Sequence, residues 1–323
     1  MNRMATIEAV ESFLPDRSYT IEELAGSLGL KRAQVRLLQK VHGLHRIRQD
    51  SDGGLLDLVL PAARRILEQV PDPTDIRYVI YVHSTQEVTP SHLDAAAQIR
   101  DALKLHHAGS FALTQQNCAT ALAAIEVAGT LLEDEGDPYA RVLIVIGDKT
   151  FTPGNQLLYN TGALMGEAGA ALLVAPHDVP GDRILSYATK TMGRYSGGVL
   201  LSVEESKQYG RDSARALADV MRAAVEQAEL TWDDIHWVIP HNAPLTETVA
   251  LLGLDPKTVY LEQLAEYSHC FASDVFINYT ELRKANRLEP GRHYVYVASG
   301  LGATYSSMVF QHQAPAMAPL TTV

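Results

Sequence analysis

Short β-branched and aromatic runs alternate along this chain with stretches whose apolar residues recur every three or four positions, the pattern of strands interleaved with helices. Asp75, Ile76, Arg77, Tyr78, Val79, Ile80, Tyr81 and Val82 follow a Pro/Asp cluster at residues 71–74 and predict a strand. Beyond Pro90, the spacing of Leu93, Ala96, Ala97 and Leu103 predicts a helix entered from a turn. Residues 110–114 predict another strand, and from Cys118 the positions Ala121, Leu122, Ile125, Ala128 and Leu132 mark a helix that stops near Asp134 and Gly136. Buried strands follow at 142–146 and at 170–174, the second behind Gly166 and Gly169. A layered α/β fold is what such alternation predicts.

The second half repeats the plan. Ser213 is placed to cap a helix carrying Leu217, Val220, Met221, Ala224, Val225 and Ala228. Asp234, Ile235, His236, Trp237, Val238 and Ile239 then read almost as a copy of residues 75–80 at an offset of 159, and residues 292–297 answer residues 141–146 at an offset of 151. Two matched strands at nearly equal offsets predict a duplication with halves at 1–175 and 176–323. Sites at the ends of equivalent elements would then face each other across a shared interface.

Composition narrows the classes. The 323 residues are 46% hydrophobic and 20% charged, ordinary for a globular enzyme and unlike collagenous, disordered or disulfide-scaffold chains. A formal charge of −11 argues against a surface built to trap nucleic acid or an anionic membrane. Two cysteines, Cys118 and Cys270, build no disulfide framework, and no zinc site can be assembled from cysteine alone. Ile7, Glu8, Ala9, Val10 and Glu11 alternate apolar with acidic residues, unlike a signal peptide, and no apolar run approaches the ~20 residues of a membrane span. A cytoplasmic location is expected.

Four places carry candidate chemistry. Cys118 ends a strand and opens a helix, where unpaired backbone N–H groups and the helix dipole favour thiolate; a small buried cysteine is the plainer reading. His241, between Pro240 and Asn242, sits at the carboxyl end of the 235–239 strand, where α/β proteins place reacting groups; a turn histidine is the plainer reading. His269 lies 151 residues beyond Cys118, the repeat length, which predicts that the two oppose each other across the pseudo-twofold interface. Cys270 and Asp274 have the i,i+4 spacing of one helical face, so Asp274 is either the orienter of a histidine or, more plainly, an ordinary first-turn acid. Ser299, Gly300, Leu301, Gly302 and Ala303 form a glycine turn between two strands, where backbone N–H groups can approach a ligand.

A separate reading comes from residues 18–30, which scan as the start of a helix-turn-helix with Lys31, Arg32, Lys40, Arg46 and Arg48 close behind. A DNA-binding regulator with a ligand-sensing body is therefore the alternative of a different class, opposed by the short basic cluster and the acidic whole.

Taken in order, the segments resemble the type III β-ketoacyl-carrier-protein synthases of the thiolase superfamily. Cys118 heading a small-residue helix, the stretch Gly166, Glu167, Ala168, Gly169, the strand Trp237 to Ala243 around His241, and the span from Glu289, Pro290 and Gly291 to Gly300, Leu301 and Gly302 carry the likeness. The resemblance implies a five-layered αβαβα thiolase fold, a homodimer, and acyl transfer through a cysteine thioester. It implies no resident cofactor, since 4′-phosphopantetheine arrives on the partner acyl carrier protein. There are two departures. His269 stands where the family usually has Asn, giving the Cys-His-His set of the elongating ketosynthases, and a neutral imidazole donates a hydrogen bond as an amide does. Leu37 and Val41 stand roughly where members that bind coenzyme A carry Trp and Arg, so a carrier-protein-bound acyl group fits better. The basic run Lys31, Arg32, Arg36, Lys40, Arg46, Arg48 would meet such an acidic partner, unless it is simply a solvated helix face.

The expected chemistry is attack of Cys118 on an acyl thioester, with the backbone N–H groups of Cys118 and Gly302 holding the oxyanion. His241 and His269 would stabilise the enolate of a malonyl-type extender in a decarboxylative condensation, with Asn242 and Asp274 in support, in a specialised biosynthetic pathway. In the alternative, His241 is a general base and the acyl group moves to a hydroxyl or amine.

Overall fold

A computed structural model describes residues 5–313 apart from 87, 91, 159–162 and 244. Strand β1 (Thr6–Phe13) leads into a small cap made of β2 (Ser18–Thr20), α1 (Ile21–Leu24), α2 (Arg32–Lys40) and β3 (Arg46–Arg48). The first half continues with α3 (Leu55–Leu67), β4 (Ile76–Val82), α4 (Ala95–Ala102), β5 (Gly109–Leu113), α5 (Thr120–Glu135) and β6 (Arg141–Asp148). A helical turn α6 (Pro153–Gln156) and two short strands, β7 (Leu157–Leu158) and β8 (Ala163–Leu164), precede β9 (Ala168–Ala175) and β10 (Asp182–Thr191). Then come α7 (Val203–Gln227), β11 (Ile235–Pro240), α8 (Thr246–Leu252), α9 (Leu264–Tyr267), α10 (Asp274–Lys284), β12 (His293–Gly300) and β13 (Thr304–Gln311).

Nine strands form one mixed sheet in the order β11-β12-β13-β10-β1-β9-β6-β4-β5. Its two wings join where Thr6 lies opposite Arg183 and Ile7 opposite Asp182. Outward from that seam, one wing runs β1-β9-β6-β4-β5 and the other β10-β13-β12-β11, with a single bridge from Val238 to Val259 where the second wing would need a fifth strand. Strand directions match as well. The pairs β4–β6 and β11–β12 are parallel, whereas β6–β9 and β12–β13 are antiparallel.

Period-two alternation sorts the side chains into layers. Val79, Tyr81, Leu143 and Val145 pack against α3 and α4, while their neighbours Ile80, Val82, Ile144 and Ile146 face the middle of the molecule. There they meet α5 (Leu122, Ile125, Leu132) and α10 (Phe276, Tyr279, Leu282). On the other wing Tyr294, Tyr296 and Phe310 face the same middle, and Val295, Val297 and Val309 turn outward under α7 and α8. Five layers result, the α/β thiolase fold, with α5 and α10 between the wings. Each fully buried aliphatic side chain contributes about 2 kcal/mol.

Two local expectations fail. The long helix α7 starts at Val203, where Ser202 accepts from the Glu205 N–H and Glu205 reaches back to the Ser202 N–H; Ser213 lies inside it. Between Val203 and Tyr209 its residues are all polar, so no apolar stripe announces its start. Residues 18–48 form a cap rather than a DNA-binding unit: α1 has four residues, and Ile21, Leu24, Val35 and Leu38 are buried with Ile47 and with Leu164 of β8. Glu167, buried at the head of β9, fastens this cap to the sheet by accepting from the N–H groups of Asp50 and Thr150 and pairing with Lys149 at 2.8 Å. Among the described residues no helix is long and apolar enough to cross a membrane.

Candidate active site

Cys118 is delivered by the crossing from β5 to α5. Asn117 adopts a left-handed φ of +54°, and the tight turn Asn117–Ala119 then runs into α5 with Cys118 only 6% exposed. Pressed against this turn is Gly300 at the end of β12, where a Cβ would come within 2.0 Å of the Gln116 carbonyl oxygen, so only glycine fits. The close approach aims two backbone donors at one point: the Cys118 N–H and the Leu301 N–H both donate to Asn117 Oδ1, at 3.0 and 3.4 Å. Leu301 thus takes the position expected of Gly302. Gly302, at φ +87°, lies beyond the cavity lining and serves the turn into β13.

His269 comes from the other half, on the segment between α9 and α10. Its carbonyl accepts from the Gly166 N–H at 2.9 Å, and a Cβ on Gly166 would meet the Tyr267 carbonyl at 2.8 Å, so that glycine lets the segment sit down on β8 and β9. The result places His269 Nε2 3.4 Å from Cys118 Sγ. On the far side of the ring, Nδ1 donates to Asp274, which is fully buried. Asp274 also accepts from the N–H groups of Cys270 (2.7 Å) and Asn242 (2.8 Å). It is therefore the orienting carboxylate, not an ordinary first-turn acid. Cys270 and Asp274 do not share a helical face, because Phe271 at φ +55° breaks the backbone between them and α10 begins only at Asp274. Burial alone would lower the His269 pKa, but the Asp274 carboxylate and then the Cys118 sulfur outweigh it and raise it well above the ordinary value.

His241 follows the end of β11, its N–H bonded to the Val297 carbonyl at 2.9 Å. The Ser299 N–H donates to its Nδ1 at 3.1 Å, which fixes the proton on Nε2, 3.3 Å from Ser299 Oγ. Burial, with the nearby His269 charge, lowers its pKa to about 4, so this ring is neutral at neutral pH. The two imidazole rings lie 5.4 Å apart. Asn242 supports both: its Nδ2 donates to the Ser268 carbonyl at 2.8 Å, and its Oδ1 accepts from Asn278 at 2.9 Å.

Cys118, His241 and His269 all open onto one cavity of about 930 Å³. Met165, Phe271 and Leu158 pack beside the sulfur, and His42 and Leu44 of the cap form part of the wall. The basic run divides. Lys31, Arg32, Arg36 and Lys40 are exposed on or beside α2, together with Leu37 (50%) and Val41 (67%). Arg46 donates to Ser18, and Arg48 donates to the carbonyls of Pro15 and Asp16 and stacks over Tyr267, so these two hold the cap together. Sequence reasoning did not single out Asn117, Leu301 as a donor, or Ser299. The only signal was the nearness of the glycine turn to a strand end.

Fold and cavity define a thiolase-fold enzyme that works on acyl groups. Residues 114–193 match the 3-oxoacyl-[acyl-carrier-protein] synthase III family and residues 225–312 match the C-terminal part of the same family, together just over half of the chain. The chain belongs to this ketosynthase III family of acyl-transferring and condensing enzymes, which carry the acyl group on cysteine and have no cofactor of their own. A β-ketoacyl-[acyl-carrier-protein] synthase III of Chlorobium phaeobacteroides is 22% identical, with 96% of this chain and 99% of the relative covered. Among solved structures, the acyltransferase ChlB3 superposes with a TM-score of 0.81 at 20% identity, covering 97% of this chain and 99% of that one. The 3-oxoacyl-(acyl carrier protein) synthase III of Pseudomonas aeruginosa does so with 0.80 at 19%, over the same shares. Cerulenin-bound OleA of Xanthomonas scores 0.81 at 17%, over 96% and 99%. No nucleic-acid-binding reading survives the family assignment.

Proposed function

We propose that this protein is a decarboxylating ketosynthase whose nucleophile is Cys118. His269 Nε2 takes the thiol proton, Asp274 holds the resulting imidazolium, and the sulfur attacks an acyl thioester. The proton then passes to the departing pantetheine thiolate. In the second half-reaction a malonyl-type thioester enters and carbon dioxide leaves with no base required, because the carbon–carbon bond supplies the electron pair. His241 Nε2–H and His269, whose Nε2 takes a proton back from solvent once the pantetheine thiol has left, donate to the developing enolate oxygen. The carbanion attacks acyl-Cys118, and the carbon–sulfur bond breaks to return the cysteine thiolate beside the imidazolium.

The observation that carries this reading is the Ser299 N–H on His241 Nδ1. It leaves His241 a neutral donor with its one remaining nitrogen already protonated, which suits an enolate and not the abstraction of a proton. A second reading, transfer of the acyl group to a hydroxyl or amine, is favoured by the line Cys118–His269–Asp274; its base would be His269 rather than His241.

The donor in this proposal is an acyl carrier protein docking on Lys31, Arg32, Arg36 and Lys40, and the enzyme is a homodimer of duplicated halves 1–175 and 176–323 serving a specialised pathway. Adding malonyl carrier protein to acylated enzyme tests it. Release of carbon dioxide with a β-ketoacyl product is expected. Deacylation by an alcohol or amine without carbon dioxide would replace condensation by the second reading.

A further inference from the structure

The point where Cys118 and Leu301 aim their N–H groups is not empty. Asn117 Oδ1 sits there, accepting from both and lying 3.2 Å from Cys118 Sγ, while Asn117 Nδ2 donates to the Ser84 carbonyl at 2.9 Å. The orientation of the amide follows from its surroundings: turned over, its NH₂ would oppose two N–H donors and its oxygen would face a carbonyl. Ser84 is itself fixed, because the buried carboxylate of Asp148 accepts from the N–H groups of Ser84 and Thr85 and from the Thr85 hydroxyl. A carbonyl oxygen flanked by two convergent backbone donors beside the sulfur is what a thioester must present during attack.

We propose that Asn117 is a gate that occupies the oxyanion-binding point of the free enzyme with its own carboxamide and must swing out before an acyl thioester can react. The proposal rests on Cys118 being the acylated nucleophile. Two donors pointing into a half-buried pocket need a partner, and Asn117 supplies it without a water that could later attack the acyl-enzyme. The incoming carbonyl takes over both N–H bonds. As sulfur adds to carbon, the carbonyl π pair moves to that oxygen. When the pair returns, the bond to the pantetheine sulfur breaks and the thiolate leaves with the proton from His269. A substrate gains entry only by replacing the bonds that Asn117 gives up, which selects for thioesters whose remaining contacts position the carbonyl well.

The test compares two reactions of the same sulfur. Acylation by an acyl thioester needs the oxyanion point; alkylation by iodoacetamide, a displacement at saturated carbon, does not. Asn117→Gly keeps the left-handed backbone without strain and empties the point. Its ratio of acylation to alkylation rate, from intact-protein mass spectrometry, is expected to rise about tenfold, the worth of one or two modest hydrogen bonds. Asn117→Asp puts a carboxylate against the same donors, and charge-assisted bonds hold it there more firmly. Its ratio is expected to fall about tenfold at neutral pH and to recover in acid. An unchanged or lowered ratio in Asn117→Gly overturns the gate, and so does an unchanged ratio in Asn117→Asp if the glycine variant does not fold. If the wild-type sulfur alkylates but no thioester acylates it in any variant, the nucleophile reading itself falls and the gate falls with it.

Discussion

Cys118 and His269 stand 151 positions apart in the chain, yet Sγ and Nε2 are 3.4 Å apart, with Asp274 on the other nitrogen of the same ring. The offset equals the 151 that separates residues 292–297 from residues 141–146, and α5, behind Cys118, meets α10, behind His269, in the middle layer.

Asp274 is a positioning residue, acting through His269. In Asp274→Asn the imidazole loses the carboxylate that outweighs its burial, so acylation of Cys118 is expected to slow by about 10²–10⁴-fold. The pH profile of Cys118 alkylation separates this from a merely structural effect: the step belonging to His269 is expected to move to lower pH, because its upward shift has lost its main source. A profile that keeps its wild-type midpoint would show that Asp274 does not govern the ring.

His241 predicts a pH-dependent stability. Its folded pKa of about 4 lies below the ordinary 6.5, so between these values the unfolded chain binds the proton and the folded one does not. The contribution is present above about pH 6.5 and is lost as pH falls toward 4, by about 3 kcal/mol in all. His241→Gln, which can still accept the Ser299 N–H, removes the titration. Denaturant unfolding at pH 7 and pH 4 is expected to show the wild type losing about 3 kcal/mol more than this variant. Parallel losses would mean that the ring is not buried neutral.

Gly300 makes the oxyanion point possible. A methyl group there would sit 2.0 Å from the Gln116 carbonyl, so Gly300→Ala must push the Leu301 N–H away from the Cys118 turn. Acylation is expected to drop by about 10²–10³-fold, the loss seen when one oxyanion donor is removed. Alkylation of Cys118 by iodoacetamide is expected to change far less. Equal losses in the two reactions would indicate collapse of the turn instead.

Much of this was legible before any coordinates. Residues 76–82, 141–148 and 235–240 are strands, as their β-branched and aromatic runs predict. Cys118 and His241 stood out by their addresses at strand ends, and His269 by its offset of 151 residues from Cys118. What stayed hidden depends on backbone geometry that no residue type announces. Asp274 read more plainly as an ordinary first-turn acid because helical spacing was extended through Phe271, whose positive φ ends it. Leu301 and Gly302 differ in which N–H faces the sulfur, a matter of one peptide's orientation, and glycine drew the attention. Arg46 and Arg48 read as surface charge although their partners, Ser18 and the carbonyls of Pro15 and Asp16, lie about thirty residues away in sequence.

The most direct measurement is the mass of the intact protein after mixing with acyl carrier protein thioesters. The wild type is expected to gain one acyl group, mapped to the peptide holding Cys118, and Cys118→Ala is expected to gain none while unfolding at a temperature close to that of the wild type. Acquisition of the same acyl mass by Cys118→Ala would contradict the account at its root.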